Sequence, residues 1–114
     1  MDRHAREVDV VIADGQSQSA EFVEVDAFTM FAVFVPTGTE GTHLQILEDQ
    51  DGTAKVAKDD EAALKIVAFT VDQWVDLPTS AATMHRMYLK TCSAVEGTAQ
   101  AQTGAATLTV RCKA

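Results

Sequence analysis

The sequence predicts an all-β fold, an antiparallel β-sandwich of jelly-roll-like form with about seven or eight short strands. Runs of β-branched and aromatic residues recur about every ten residues, and several of them alternate apolar with polar side chains. Turn-forming residues such as Asp14-Gly15 and Pro36 separate these runs. With 114 residues, the chain has the length of one ordinary domain, so residues 1–114 are expected to form a single sandwich.

The first half of the chain contains most of the strand-like runs. The first run ends at Asp14-Gly15, where glycine supplies the positive φ that a tight reversal needs. The third run is the most apolar and stops at Pro36, which cannot donate to a sheet ladder. The acidic residues 48–53 predict a hairpin turn. The runs are residues 8–12, 20–25, 28–35, 43–47 and 54–57.

Residues 64–71, 84–92 and 106–112 complete the predicted strands. Helix-forming residues precede the first of these runs, but its β-branched and aromatic residues favour a strand. Between the first two runs, the segment from Trp74 to Pro78 predicts a compact connection.

Two further segments are expected to lie outside the strands. Residues 1–7 are charged and predict an N-terminal arm, and no apolar stretch follows them that could serve as a secretory signal. Residues 93–105 are rich in alanine, threonine, glutamine and glycine, which predicts a flexible loop.

The run 28–35 is apolar on both of its faces. Since each sheet of a sandwich buries only its inner face, one set of these side chains, namely Phe31, Val33 and Val35, is expected to point outward. The run 64–71 repeats the pattern. These outward residues predict either a surface for a partner protein or a face covered by a loop of the same chain, such as the loop carrying Trp74. The candidate interface residues are Phe31, Val33, Val35, Val67, Phe69 and Trp74.

The charge of the chain restricts the classes of partner. Its 17 acidic and 9 basic residues give a net charge of −8. Such a surface repels nucleic-acid phosphates and suits a basic protein surface, so no nucleic-acid partner is expected. No stretch approaches the roughly 20 apolar residues of a membrane helix, so no membrane partner is expected and synthesis in a cytoplasm is the expectation.

The two cysteines, Cys92 and Cys112, are too few for a disulfide scaffold or a zinc site of their own. If the last two strands formed a simple hairpin, Cys112 would face His85 rather than Cys92. Both cysteines are therefore expected to be reduced, partly buried side chains.

No pattern for metal binding or catalysis is found. The three histidines are scattered, and aligning Asp49, Asp51 and Gly52 to a calcium loop puts Leu47 and Lys58 at ligand positions. Serine and cysteine residues lack the surroundings of an activated nucleophile. The expectation is a protein without metal, cofactor or enzymatic activity.

Several stretches, in this order and spacing, resemble the small virion proteins of tailed bacteriophages, the head decoration or cement class. They are residues 12–17, 34–36, 44–46 with the turn 48–53, 74–78, 87–90 and 105–111. The resemblance covers most of the chain. It implies a β-sandwich or jelly-roll-like domain in a phage particle and no catalytic residues.

The resemblance implies a capsid decoration protein that binds the major capsid protein and itself, for example as a trimer, on the surface of the virion. A structural component of the phage neck or tail, such as an adaptor, is one alternative. A carbohydrate-binding sandwich is another, although such modules need exposed coplanar aromatic rings and the chain has one Trp and one Tyr.

Overall fold

The computed structural model describes residues 6–24, 30–56, 65–77 and 86–113. Across these residues the secondary structure consists of β-strands without a helix, and the strands form two antiparallel sheets. This confirms the predicted β-sandwich, with nine described strands rather than seven or eight. The strands are β1 Arg6–Ile12, β2 Val23–Glu24, β3 Met30–Val35, β4 His43–Gln50, β5 Thr53–Val56, β6 Ile66–Ala68, β7 Gln73–Asp76, β8 Arg86–Cys92 and β9 Ala106–Lys113.

Sheet I has the strand order β1-β9-β3-β7, and sheet II has the order β2-β8-β4-β5, with β6 pairing the other part of β4. Strands β8 and β9 therefore lie in different sheets and do not form a hairpin. Cys112 pairs with Arg6 and Phe31 rather than with a residue of β8, so the hairpin on which the predicted position opposite His85 depended is not formed. His85 itself lies outside the described residues. Cys92 and Cys112 are both buried free thiols.

The core lies between the two sheets. Val8, Val110, Val33 and Val75 form one row across the four strands of sheet I, and all face inward. Apolar side chains of sheet II pack against this layer. Together the fully buried members of the core include Ile12, Val23, Val33, Val35, Leu44, Ile46, Met87, Leu89, Leu108, Val110 and Cys112.

The predicted orientation of β3 is wrong. Phe31, Val33 and Val35 point into the core and are at most 5% exposed, whereas Ala32 and Phe34 take the outer face. An apolar pattern on both faces does not indicate which face is inside. The ladder decides it, because Val33 lies beside Val110 on β9, whose alternation is unambiguous.

Several segment boundaries also differ from the sequence prediction. The segment around Trp74 is a strand, β7, which pairs with the outer edge of β3 and accounts for the additional strand. Arg6 and Glu7 belong to β1 rather than to an arm, while residues 1–5 lie outside the described residues. The run 64–71 contributes only β6, and Val67 and Phe69 are half-buried against the core.

The acidic turn forms the predicted hairpin. Gln50 pairs with Thr53, so the loop between β4 and β5 has two residues, Asp51 and Gly52. Both have positive φ, 52° and 84°, which is the conformation of a type I′ turn. Its twist matches that of the flanking strands, and this explains why glycine follows aspartate here.

The segment predicted to be a flexible loop, residues 93–105, is tied to three other segments. The Gln102 side chain accepts a hydrogen bond from the Glu40 amide at 2.9 Å and donates to the Glu40 carbonyl at 2.8 Å and to the Thr91 hydroxyl at 2.9 Å. Its backbone amide donates to the Gln16 carbonyl and its carbonyl accepts from the Gly15 amide. Gln102 is 2% exposed and thus joins neighbouring loops at one end of the sandwich.

Candidate interaction surfaces

The outer face of sheet I carries a ring cluster with charged neighbours. The ladder aligns Phe34 with Trp74 on β7. One row away, Ala32 lies between Arg111 and Asp76. Because alanine is small, the Arg111 side chain reaches over it to the indole. This juxtaposition brings together an aromatic pair and a cation on one solvent-facing surface.

Trp74 is the centre of this cluster. The guanidinium carbon of Arg111 lies 4.0 Å from the centroid of the indole, within the range of a cation–π contact. The Phe34 ring meets the indole edge-on at a centroid distance of 5.5 Å. Arg111 also donates from Nε to Glu7 at 2.9 Å. Trp74 nevertheless remains 41% exposed, so its free surface is available to a partner.

Of the predicted interface residues, the structure thus places Trp74 on the surface and the three β3 residues in the core. Tryptophan and arginine are the side chains most enriched among residues that dominate binding energies. Sequence reasoning missed Phe34 and Arg111 as neighbours of Trp74. A strand at residues 73–76 was not predicted from the sequence. The pairing of this strand with β3 is what brings Trp74 beside Phe34.

A second surface is a groove between the edges of the two sheets. It runs along β1 on one side and residues 20–22 on the other, and its volume is about 260 Å³. The exposed side chains of Val11 and Phe22, 49% and 37% exposed, lie at this groove. The residues that line it are Val8, Asp9, Val10, Val11, Ala13, Ala20, Glu21 and Phe22.

The Phe22 ring at this groove is held by sheet II. It meets the Tyr88 ring edge-on at 6.1 Å, and the guanidinium of Arg86 lies 4.7 Å from its centroid. Arg86 pairs with Asp49 at 3.7 Å, and the Tyr88 hydroxyl donates to the same carboxylate at 3.2 Å. Burial and this hydrogen bond raise the pKa of Tyr88. Asp49 thus faces its strand neighbours rather than joining Asp51 around an ion.

The side chains that could support chemistry are placed as follows. The ladder sets His43 opposite Cys92, and His43 Nδ1 lies 2.8 Å from the Thr42 hydroxyl. The Cys92 thiol is fully buried and lies 3.8 Å from the Gln45 amide oxygen. Burial raises the pKa of Cys92, which favours the protonated thiol over the nucleophilic thiolate. His4 and His85 lie outside the described residues.

Within the described ranges, three or more His, Cys, Asp or Glu side chains nowhere come close enough to hold a metal ion. The same part of the chain holds no helix with the length and hydropathy to cross a membrane.

Comparison with known proteins identifies a structural neighbour. The chain matches no family model and no curated protein sequence. The fold is similar to the crystal structure of SPBc2 prophage-derived protein YomS, with a TM-score of 0.54 and 12% sequence identity. The similarity covers 96% of this chain and 95% of that protein. At this identity the likeness shows a common fold, which extends over nearly the whole of both chains.

Proposed function

We propose that this chain is a structural protein of a tailed-bacteriophage particle that decorates the capsid, binds the major capsid protein and stabilises the shell. The observation that carries the proposal is the fold shared along both whole chains with a prophage-derived protein. The ordered resemblance of residues 12–111 to phage head decoration proteins supports the same class.

The proposed role is non-catalytic and rests on binding to other proteins in the virion after synthesis in the host cytoplasm. Several copies, for example a trimer, would cluster over junctions between capsid subunits. Contacts that are individually weak become strong when they must be released together. A protein that binds the assembled shell in preference to dispersed subunits stabilises that shell by mass action. The exposed Trp74 and Arg111 on sheet I supply a surface for such contacts.

The test uses phage particles with and without this protein. Particles lacking it should burst at a lower temperature and in milder osmotic shock, and adding the purified protein back should restore their resistance. A gold-labelled copy should decorate the head in electron micrographs. Equal resistance of both particles, or label found only along the neck or tail, would reject the capsid proposal, and the second outcome would make the protein a tail component.

Variants of the purified protein locate the surface that it uses. Trp74→Ser should reduce both self-association in light scattering and rebinding to the stripped particles. Val56→Ser is a matched control, because Val56 is 61% exposed and lies on the edge strand β5 of the other sheet. If both variants rebind equally, the outer face of sheet I is not the docking surface.

A further inference from the structure

We infer that the free edge of β1 is a docking site for an extended segment of another protein, in which apolar residues alternate with lysine or arginine. Among the described strands, β1 pairs only with β9 and forms one edge of sheet I. The edge of a sheet presents unpaired backbone donors and acceptors, onto which an extended peptide can add as a further strand. The inference does not depend on where in a virus or cell the protein acts.

The groove beside the β1 edge explains why every second residue of the partner segment is expected to be apolar. A strand added to β1 would direct every second side chain towards the same side as Val8 and Val10. Val8 and Val10 help to line the groove of about 260 Å³, together with Asp9 and Val11 of the same strand and, across from β1, Ala20 and Phe22. Val8 is half-buried and Phe22 is 37% exposed, so apolar side chains entering the groove would cover apolar surface that now meets water.

The outer face of β1 explains why the other residues of the partner segment are expected to be basic. The remaining side chains of the added strand would lie beside Glu7, Asp9 and Val11, the outward residues of β1. Glu7 is paired with Arg111 at 2.9 Å, whereas Asp9 accepts a hydrogen bond from the neutral Thr109 hydroxyl, so a basic side chain on this face would meet the charge of Asp9. Glu21 adds a second such carboxylate at the groove, while Arg86, whose guanidinium lies over the Phe22 ring, is paired with Asp49. With a net charge of −8 on the whole chain, the long-range field also attracts a basic segment.

The same charges disfavour a second copy of this chain as the occupant. If β1 paired antiparallel with β1 of a second copy over all seven residues, the pairing would be centred on Asp9. It would set Asp9 of one copy directly opposite Asp9 of the other, and like charges in that position destabilise a strand pair. A basic partner strand avoids this repulsion.

The test titrates a blocked seven-residue peptide of alternating lysine and valine into the full-length protein. Backbone amide shifts, followed by NMR, should change along β1 and at residues 20–22. Two further peptides carry N-methyl groups, one on the lysine amides and one on the valine amides. Since only one set of amides faces β1 in an added strand, one methylated peptide should fail to bind and the other should bind like the parent.

Charge variants complete the test. Asp9→Lys should weaken binding of the lysine–valine peptide roughly two- to tenfold, as expected for an exposed attraction turned into a repulsion. Glu96→Lys changes the net charge equally in the turn after β8 and should leave binding nearly unchanged. Shift changes at the edges formed by β5 or β7, equal binding of both methylated peptides, equal effects of the two variants, or a dimer joined through β1 would each overturn the inference.

Discussion

Gln102 shows how one polar side chain can organise a set of loops. All of its side-chain hydrogen-bonding groups are engaged with Glu40 and Thr91, while its backbone bonds reach Gly15 and Gln16. A buried amide that is fully satisfied specifies one arrangement of its neighbours, since any alternative would leave buried polar groups without partners. The composition of residues 93–105, which include Gln102, predicts only a loop.

We expect Gln102→Ala to lower the free energy of unfolding by about 1–3 kcal/mol, the cost of leaving buried polar groups unsatisfied. Chemical denaturation would measure it. The matched control is Gln100→Ala, because the Gln100 residue is half-buried and its side-chain amide donates an exposed hydrogen bond to the Ala101 carbonyl at 3.1 Å and a long one to Glu40 at 3.5 Å. Equal losses for the two variants would contradict the role assigned to Gln102. Increased hydrogen exchange of the backbone amides at positions 40 and 102 should accompany the effect.

Strand β3 illustrates the two roles that apolar residues take within a single element. Phe31, Val33 and Val35 fill the space between the sheets, whereas Phe34 lies against Trp74 on the outside. The three inward residues contribute to the stability of the fold. Phe34, on the outside, can contribute to binding a partner, because Trp74 in the same ring cluster remains partly exposed.

The two phenylalanines of β3 should therefore respond differently to truncation. Phe31→Ala removes a 5%-exposed ring from the core and should cost about 3–5 kcal/mol of stability. Phe34→Ala, on the half-exposed face of the same strand, should cost clearly less and should increase the mobility of the Trp74 ring, seen in its fluorescence anisotropy. Similar denaturation midpoints for the two variants would show that the assignment of faces is wrong.

Gly41 and Gly52 lie in loops between strands, and substituting each of them compares the cost of backbone strain alone with the cost of strain plus a steric collision. Both have positive φ, but a methyl group on Gly52 would meet open space, whereas on Gly41 it would lie 2.9 Å from the Cys92 carbonyl oxygen. Gly52→Ala should cost about 1–2 kcal/mol, the penalty for alanine in the left-handed region. Gly41→Ala should cost more, since the loop must also move away from β8. Thermal unfolding of both variants would test this order.

At the scale of the whole molecule, the distribution of ionisable groups makes stability depend on pH. Most charges are at the surface, but the thiols of Cys92 and Cys112 are buried, and burial raises the pKa of both. The folded state therefore holds its thiol protons more tightly than the unfolded chain. This contribution to stability is fully present below the ordinary thiol pKa of about 8.5 and is lost as pH rises above it.

We accordingly expect the free energy of unfolding to fall as pH rises from about 8.5 towards 10, measured by denaturation in the presence of a reductant. The double variant Cys92→Ala and Cys112→Ala should show a flatter dependence on pH in this window, even if it is less stable throughout. Tyr88, whose pKa is also raised, should add its own loss of stability as pH rises above about 10, beyond this window. An unchanged slope in the double variant would contradict the assignment to the thiols.

The sequence alone determined the class of the fold and the positions of most of its turns. Alternation along β9 and the glycine at the Asp51-Gly52 turn are local signals, because they depend on one pleated strand and on the φ of two residues. The sequence could also single out Trp74, whose exposure the structure shows, but without the neighbours that make it part of a surface.

Only the tertiary structure decided which face of β3 is inside, which sheet each strand joins, and where the two candidate surfaces lie. A strand that is apolar on both faces has two registers of similar local preference, and its neighbours β9 and β7 select between them. Likewise, Arg111 reaches Trp74 from a distant part of the chain, and Phe22 is held beside the β1 edge by Tyr88 and Arg86 of the distant strand β8. Local patterns do not contain such juxtapositions, because long-range pairing and burial create them when the two sheets pack together.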